Sequence, residues 1–401
     1  MNKNSNTTGW VVTIAATSIN LLLGFLYSWS VIKESLVGDW GWSNTEATLP
    51  YTVCVAMLSF MTVFGGRMQD KYGPRKIALL GGILFGTGLI ASAYAKSPFV
   101  MLITFGLISG LGMGVAYATT TPAAIKWFEP RKKGLISGIV VAGIGISSLF
   151  MAPLTDKLLR TYSTEKTFLI LGAIALVLLV SFSLILRNPG KDFKPKVKEG
   201  KPATKNGDDY TWKEMLKTRQ FRILWATYLL SATAGLMLIP HIVSIVKVQA
   251  NSGNGFLVVM AFSVFNTGGR VIGGFLSDKI GRTNSLLTVF ALQAVNMFVF
   301  SFYTSVPLLI VGVSVAGIAY GALFALYPST TADFFGLKNL GVNYGFMFTS
   351  WGIAGIIGPI LAGKVADLTG NYTVSYIVAG SMLILGALLV KFIKAPAMRT
   401  A

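Results

Sequence analysis

The chain has 401 residues, of which 53% are apolar and only 12% are charged, whereas charged residues make up about 25% of a typical soluble domain. This composition indicates a protein of the lipid bilayer, so the formal net charge of +19 has to be interpreted from where the basic residues lie. The single cysteine, Cys54, and the single histidine, His241, exclude a disulfide framework, a cysteine-based metal cluster and a multi-histidine site, and we expect no metal and no cofactor.

Twelve segments of the chain are apolar over the roughly 20 residues that a helix needs to cross a bilayer. They lie near residues 10–31, 47–66, 77–95, 100–122, 134–154, 167–186, 222–243, 256–276, 285–303, 306–328, 341–363 and 372–392. The sequence therefore predicts an all-α integral membrane protein with twelve transmembrane helices.

The basic residues predict the orientation of these spans, because loops on the cytoplasmic side carry an excess of Lys and Arg. With the N-terminus inside, the cytoplasmic segments hold 26 of the 34 basic residues, the external segments hold seven, and Arg270 is the last. We therefore expect a multi-pass protein of the inner, or plasma, membrane with both termini in the cytoplasm. The basic excess is then a topology signal, and we expect no nucleic-acid partner.

The sequence also contains an internal repeat. Residues 66–73 and 274–281 both read G-x-x-x-D-K-x-G, which places Asp70 and Asp278 at an offset of 208 positions. Two six-span halves in the same orientation are typical of carriers that work by alternating access, with the substrate site between the halves. We expect an N-terminal six-helix bundle over 1–187, a cytoplasmic linker over 188–211 and a C-terminal six-helix bundle over 212–401.

Arg270 is the most informative residue, because it lies in Val258–Phe275, an apolar run without an acidic residue. The next charge, Asp278, is eight positions later, which is roughly 12 Å along a helix. A guanidinium at that depth costs between about 2.5 and more than 10 kcal/mol, and it cannot lose its proton as an amine can. An anion must therefore accompany Arg270 for part of its working cycle, and we expect the substrate to supply that charge.

The paired loops resemble the signature loops of the major facilitator superfamily, and the twelve spans extend this resemblance over the whole chain. Shorter segments are similar to the oxalate/formate antiporter and monocarboxylate transporter branch of the superfamily. They are Tyr27-Ser28-Trp29, Lys126-Trp127-Phe128, Trp212-Lys213-Glu214-Met215-Leu216, Tyr327-Pro328-Ser329-Thr330 and Asn343-Tyr344-Gly345-Phe346. The resemblance implies the major facilitator fold, with two pseudo-symmetric six-helix bundles, and a transport function.

The resemblance also suggests a role for the charges of the paired loops. In the superfamily, such loops hold the two halves in one state and release them in the other. We therefore expect Asp70 to pair with Arg75, and Asp278 with Arg282, and all four residues to contribute to gating. A simpler interpretation, in which the loops are turns that mark the topology, is compatible with that role.

Several polar and aromatic residues are candidates for the substrate site. Tyr117 matches a family position at which a tyrosine faces the cavity, Asn20 and Tyr27 share a face of span 1, and Asn266 precedes Arg270 by one helical turn. Each polar residue alone could instead be satisfied by another helix. The expected substrate-binding residues are Arg270, Tyr117, Asn266, Tyr27, Asn20, Tyr320, Phe324, Phe348 and Trp351.

The aromatic candidates belong to two stripes that follow helical spacing in spans 10 and 11. Packing against lipid or against the core is the usual reason for such a stripe. The alternative is that the rings line the cavity, because spans 10 and 11 lie near span 8 in this family. The stripes are Tyr320, Phe324 and Tyr327, and Tyr344, Phe348 and Trp351.

Two positions depart from the relatives. The oxalate/formate antiporter has a lysine in span 11 that helps the arginine neutralise a dianion, and the corresponding residue here is Trp351. Animal monocarboxylate transporters have an aspartate one turn before the span-8 arginine, and the corresponding residue here is Asn266. A single cation in the cavity favours a monoanion with an apolar tail, and an asparagine argues against a simple Asp–Arg proton switch.

These observations predict a secondary active transporter, not an enzyme, for small monocarboxylates such as lactate, pyruvate or acetate. We expect proton symport, with anion exchange as the alternative and a channel or non-transporting sensor as the alternative of a different class. His241, near the external end of span 7, is either an interfacial side chain bonded to water or a proton relay at an outer gate. The expected partners are the carboxylate, protons and the lipid bilayer, and we expect the monomer to be functional.

Overall fold

The computed structural model of the protein describes residues 3–42, 44–190, 193 and 209–393, and every regular element in these residues is helical. The α-helices are α1 (Lys3–Leu23), α2 (Trp29–Trp40), α3 (Asn44–Tyr72), α4 (Pro74–Ser92), α5 (Pro98–Met101), α6 (Gly110–Ile125), α7 (Lys133–Thr161), α8 (Thr164–Ser183), α9 (Trp212–Lys217), α10 (Arg219–Leu236), α11 (Ile242–Ala250), α12 (Gly255–Ile280), α13 (Arg282–Val299), α14 (Val306–Phe335), α15 (Leu340–Thr369) and α16 (Thr373–Lys391). The all-helical prediction is confirmed. Of the expected linker over 188–211, residues 191, 192 and 194–208 lie outside the described residues.

Shorter helical segments connect or interrupt these helices. The segments Gly24–Ser28, Pro130–Lys132, Ile239–His241 and Phe300–Phe302 are 3₁₀ turns, and Leu102–Ser109 is a π-helix that joins α5 to α6. Short 3₁₀ turns are frequent at the ends of α-helices and as connectors, and π-helical turns occur within longer helices.

Eleven helices among the described residues are long and apolar enough to cross a membrane. The remaining predicted span, 222–243, is divided, because α10 ends at Leu236 and α11 begins at Ile242, after the 3₁₀ turn. Pro240 lies within that turn, and a proline cannot donate the backbone hydrogen bond that a continuous α-helix needs. A hydropathy average over the whole segment does not show where its helix is interrupted.

The chain divides into two compact units. The first comprises Met1–Glu129, Ile139–Lys198 and Lys338–Phe346, and the second comprises Pro130–Gly138, Glu199–Leu337 and Met347–Ala401. In the first unit, α4 packs on α6 and α8, and α3 packs on α6. In the second unit, α12 packs along α14, and both α10 and α13 pack on α16. Helix α14 is buried over most of its length, and its contact with α12 positions the candidate site.

Candidate functional site

Arg270 lies in the second unit, where α12 packs on α14, and its side chain is fully buried. The helices approach closely there because a glycine of α14 faces α12. A Cβ on Gly321 would collide with the backbone carbonyl of Asn266 and would lie 3.2 Å from the backbone nitrogen of Arg270. A Cβ on Gly138, near the start of α7, would collide with the carbonyl oxygen of Arg270. The backbone that carries the guanidinium is therefore held by close contacts with two helices.

The guanidinium of Arg270 has two well-defined contacts. Its Nε donates a hydrogen bond of 3.0 Å to Oδ1 of Asn266, one turn earlier in the same helix. Its Cζ lies 4.5 Å from the centroid of the Phe324 ring, which is a cation–π contact. Asn266 is an amide, so it supplies an acceptor but no negative charge. The structure thus brings together three residues that the sequence analysis selected.

An aromatic cluster surrounds this cation–π contact. The ring of Phe324 lies 5.3 Å from that of Tyr320 and 6.0 Å from that of Trp351, measured between centroids. Phe348 stacks on Trp351 at 4.9 Å, and Nε1 of Trp351 donates a 2.8 Å hydrogen bond to the hydroxyl of Tyr320. The cluster therefore places apolar ring surface beside a buried cation, which suits an anion that carries a small apolar group.

The other residues of the two aromatic stripes lie elsewhere. Tyr327 is fully buried and stacks on Tyr228 with 3.9 Å between centroids, and its hydroxyl donates to Thr227. Tyr344 belongs to the first unit, whereas Phe348 belongs to the second. Helical spacing identified the two stripes, but it did not show which of their residues belong to the aromatic cluster.

Three predicted residues, Asn20, Tyr27 and Tyr117, belong to the first unit. Tyr117 is buried in α6. Asn20 is buried in α1, where its Nδ2 donates to the carbonyl of Val140 at 2.9 Å and its Oδ1 accepts from the hydroxyl of Thr120 at 3.3 Å. Asn20 thus joins α1 to α7 and α6. Tyr27 lies in a 3₁₀ turn, and its side chain is outside the described part of the structure.

His241 ends the 3₁₀ turn between α10 and α11. Its Nε2 lies 3.2 Å from the carbonyl oxygen of Pro359 in α15, and its Nδ1 lies 3.4 Å from the hydroxyl of Tyr372. Because a carbonyl can only accept, Nε2 carries the proton in this arrangement, and Nδ1 of the neutral ring accepts from the tyrosine. Protonation would convert Nδ1 from an acceptor into a donor, so the bond to Tyr372 depends on the charge of the ring.

The C-terminal copy of the repeated loop is part of a network of four charged residues. Nη1 of Arg282 lies 2.7 Å from Asp278, and Nε of Arg282 lies 2.7 Å from Asp333 at the end of α14. Lys133, whose side chain is 1% exposed, lies 2.9 Å from the other carboxylate oxygen of Asp333. The predicted Asp278–Arg282 pair is confirmed. Asp333 and Lys133 were not predicted, although an acidic residue five positions after the predicted end of span 10 was a usable signal.

Each aspartate of the repeated loop also accepts hydrogen bonds from the start of a helix. Asp278 accepts from two backbone N–H groups in the first turn of α7, at 2.9 and 2.8 Å. Asp70 accepts from two backbone N–H groups in the first turn of α15, at 3.2 and 2.9 Å. The first N–H groups of a helix have no partner within the helix, and a carboxylate is favoured there by the helix dipole.

The prediction that Asp70 pairs with Arg75 is wrong. Asp70 lies 3.8 Å from Lys126 instead, and Arg75 is exposed. The reason is a difference of one residue between the two copies of the loop. Arg282 follows Asp278 by four positions and is the first residue of α13, whereas Pro74 is the first residue of α4, so that Arg75 follows Asp70 by five positions and is the second residue of its helix.

The sequence matches the family model of the Major Facilitator Superfamily over residues 10–295 and 251–400. The chain belongs to this superfamily. The family assignment that the sequence motifs suggested is thereby confirmed, as is the all-helical major facilitator fold. Relatives of the chain within this superfamily are named as transporters. Membership of the superfamily therefore identifies the chain as a multi-pass membrane transporter.

Several relatives are similar over nearly the whole length. The oxalate:formate antiporter of Oxalobacter formigenes is 28% identical, over 94% of this chain and 89% of the antiporter. The MFS-type transporter YhjX of Escherichia coli (strain K12) is 28% identical, over 88% of this chain and 87% of YhjX. Monocarboxylate transporter 13 of Rattus norvegicus is 26% identical, over 94% of this chain and 87% of that transporter.

Solved structures share the fold at low sequence identity. The fucose:proton symporter FucP of E. coli matches with a TM-score of 0.72 and 13% identity, over 95% of this chain and 98% of the symporter. The human organic anion transporter MFSD10 matches with a TM-score of 0.73 and 14% identity, over 97% and 100% of the two chains. At this identity, the similarity establishes the fold alone.

Proposed function

We propose that the protein is a secondary active transporter of small monocarboxylates, of the lactate, pyruvate or acetate class, and that it works by alternating access. The observation that carries this proposal is the fully buried Arg270, which a neutral Asn266 orients and an aromatic cluster covers. Relatives named as an oxalate:formate antiporter and as monocarboxylate transporters support a carboxylate as the substrate class.

The contacts of Arg270 restrict how a carboxylate can bind to it. A guanidinium has five N–H groups, four of which are on Nη1 and Nη2. Since Nε donates to Asn266 and Cζ lies over the Phe324 ring, we expect a carboxylate to approach the Nη edge, where it would form two parallel hydrogen bonds. The rings of Phe348 and Trp351 then favour a short apolar tail. The predicted roles of Asn20, Tyr27 and Tyr117 remain part of the proposal.

Neutralisation of Arg270 by a bound carboxylate would favour the conformational change of the loaded carrier. A carboxylate that binds to Arg270 adds a charge-assisted ion pair to the buried site. A bound carboxylate therefore lowers the free energy of conformations in which Arg270 is shielded from water. The equilibrium between conformations shifts by as much as the substrate's affinity differs between them.

Uptake of radiolabelled lactate into proteoliposomes tests the assignment of Arg270. Arg270→Ala should abolish uptake, and Arg270→Lys should lose most of it, because an ammonium cannot replace the planar fork. Arg160→Ala is the matched control, since Arg160 is an exposed arginine in a surface pair with Asp156, and its uptake should equal that of the unchanged protein. Near-normal concentrative uptake by Arg270→Ala would contradict the proposal.

The valence of the substrate is tested at Trp351, which occupies the position of a lysine in the antiporter relatives. Trp351→Lys should weaken lactate transport and improve the binding of oxalate, because it adds a second cation to the site. Trp351 also donates to Tyr320 and stacks on Phe348, so Trp351→Met is the control that removes the indole without adding charge. A preference of the unchanged protein for oxalate over lactate in competition would show that the substrate is a dianion.

Proton symport is the coupling that we propose, and anion exchange is the second candidate. Asn266 favours anion exchange, because its amide lies beside Arg270 and cannot take up a proton that would be transported together with the substrate. For symport we propose His241 as the proton acceptor, since protonation would change its bond to Tyr372. An inward proton gradient should stimulate lactate uptake into vesicles without internal substrate, and His241→Gln should remove the stimulation. Uptake that ignores the gradient but requires internal carboxylate would identify an exchanger.

We further propose that both termini lie in the cytoplasm and that the protein belongs to the inner membrane, because basic residues are concentrated in the segments on that side. Cys54 is the only cysteine and is buried, so a cysteine-free background requires one substitution. Single cysteines at the exposed positions Lys166 and Lys217 should then react with a membrane-impermeant maleimide from the outside and from the inside, respectively.

A further inference from the structure

A small cavity lies inside the second unit, next to the aromatic cluster. It has room for about one water molecule at its centre. Phe290, Leu323 and Leu383 contribute apolar surface to its lining, and Tyr320 and Gln293 line it with groups that are polar at one end.

Tyr320 belongs both to the lining of this cavity and to the aromatic cluster beside Arg270. On one side, its ring belongs to the aromatic cluster, 5.3 Å from Phe324, which in turn contacts the guanidinium. On the other side, the same residue lines the cavity, and its ring fits against Gly235 so closely that a Cβ there would collide with it. The hydrogen bond from Trp351 holds the hydroxyl of Tyr320 in this position.

Gln293 supplies a hydrogen-bond donor that has no acceptor among the described residues. Two hydrogen bonds fix the orientation of the Asn296 amide. Its Nδ2 donates to the carbonyl of Gly312 at 2.9 Å, and its Oδ1 accepts from the hydroxyl of Tyr303 at 3.3 Å. Nδ2 of Asn296 also donates to Oε1 of Gln293 at 3.2 Å, which fixes the amide of Gln293 in turn. Its Nε2 is buried and lacks a partner within the described part of the chain. Such a donor requires an acceptor to offset its desolvation.

We propose that Tyr320 determines how long an acid the transporter accepts, by closing the cavity to the tail of a substrate bound at Arg270. This inference rests on the proposed carboxylate transport. With the Tyr320 ring in place, the aromatic cluster limits the tail to a few carbon atoms. Without the ring, the Arg270 site and the cavity become one pocket that takes a longer apolar tail. Gln293 makes that pocket selective for acids with an oxygen acceptor near the far end, which are oxo acids of medium length.

Initial uptake rates of acetate and pentanoate into proteoliposomes test the length limit. In Tyr320→Ala, the ratio of pentanoate to acetate uptake should rise about tenfold, because the added methylene groups gain an apolar pocket. In Tyr320→Phe, which keeps the ring but loses the bond to Trp351, the ratio should stay near that of the unchanged protein. Since both acids are measured on the same preparation, the amount of folded protein cancels from the ratio.

Two further variants in the Tyr320→Ala background test the cavity itself. Addition of Ala319→Leu fills the cavity, since Ala319 is part of its lining, and should return the ratio towards its original value. Addition of Gln293→Leu removes the donor, and should eliminate a preference for 4-oxopentanoate over pentanoate without preventing pentanoate uptake. Retention of that preference in the Gln293→Leu variant would overturn the role of Gln293.

The outcomes distinguish this inference from the proposed function. An unchanged pentanoate to acetate ratio in Tyr320→Ala, with acetate uptake that still depends on Arg270, overturns the length limit and leaves the carboxylate function standing. Absence of uptake of any of these acids by the unchanged protein overturns the proposed function itself.

Discussion

The loop around Asp278 and the loop around Asp70 are copies of one motif, yet they hold their charges differently. Both aspartates accept hydrogen bonds from the first turn of a helix, α7 or α15. Arg282, however, is bound between Asp278 and Asp333, whereas its counterpart 207 positions earlier, Arg75, is exposed. The contact of Asp70 with a cation is the longer one, 3.8 Å to Lys126.

One inversion of charge accounts for much of this difference. Lys126 and Asp333 occupy equivalent positions in the repeat, again 207 residues apart. A lysine there gives Asp70 a cation, while an aspartate gives Arg282 a second carboxylate and also binds Lys133. The hydrogen bonds to helix starts are common to both loops because they depend only on the aspartate and the backbone. The ion pairs diverge because each depends on a side chain from another helix.

The largest expected effect is that of removing Arg282. Arg282→Ala leaves Asp278 and Asp333, whose side chains are only 7% and 15% exposed, without their shared partner. Loss of one member of a buried ion pair destabilises by about 3 kcal/mol or more. We therefore expect a large fall in the melting temperature of the purified protein in detergent and a loss of transport.

Arg75→Ala is the matched control for that experiment, because Arg75 occupies the equivalent position and is exposed. A surface substitution of this kind changes stability by about 0.5 kcal/mol at most. Equal effects of the two substitutions on the melting temperature would mean that the two loops are equivalent after all.

The sequence was sufficient for features that depend on local spacing. The burial of Arg270 followed from its isolation in an apolar run, and Asn266, one helical turn earlier, was expected at the same site, where it accepts a hydrogen bond from Arg270. The Asp278–Arg282 pair was predicted from the resemblance of the repeated loops to the signature loops of the superfamily, and the structure contains it. Within a continuous helix such as α12, a separation of four residues places two side chains on one face without any knowledge of the tertiary structure.

Features that depend on packing between distant segments were not predictable in this way. Asp70 and Lys126 are 56 positions apart, and Lys133 and Asp333 are 200 apart, so no periodicity connects them. The cavity beside Tyr320 likewise arises from side chains of several helices. For such contacts the sequence supplies candidates, and only the fold selects among them.

A smaller effect is expected from the aspartates themselves. Asp278→Asn should destabilise by about 2 kcal/mol, because it removes a charged acceptor both from two backbone N–H groups and from Arg282. Asp70→Asn should cost less, since the backbone hydrogen bonds are comparable but the ion pair with Lys126 is longer. Thermal unfolding of the two variants in parallel measures the difference. A larger loss for Asp70→Asn would show that the N-terminal loop carries the more important contacts.

The smallest expected effect concerns Lys126, and it tests whether the inversion of charge explains the difference between the loops. Lys126→Ala should cost about 1 kcal/mol, less than Arg282→Ala, because Lys126 lies 3.8 Å from Asp70 whereas Arg282 lies 2.7 Å from each of two carboxylates. Lys126→Asp introduces the residue found at the equivalent position 333, and so offers Arg75 a second carboxylate beside Asp70. If a carboxylate at position 126 is enough to bind Arg75, Arg75→Ala should become destabilising in the Lys126→Asp background, while it remains neutral in the unchanged protein. The coupling between the two substitutions is read from a double-mutant cycle of melting temperatures. Absence of coupling would mean that Pro74, by shifting Arg75 to the fifth position after Asp70, keeps the arginine out of reach whatever the charge at position 126.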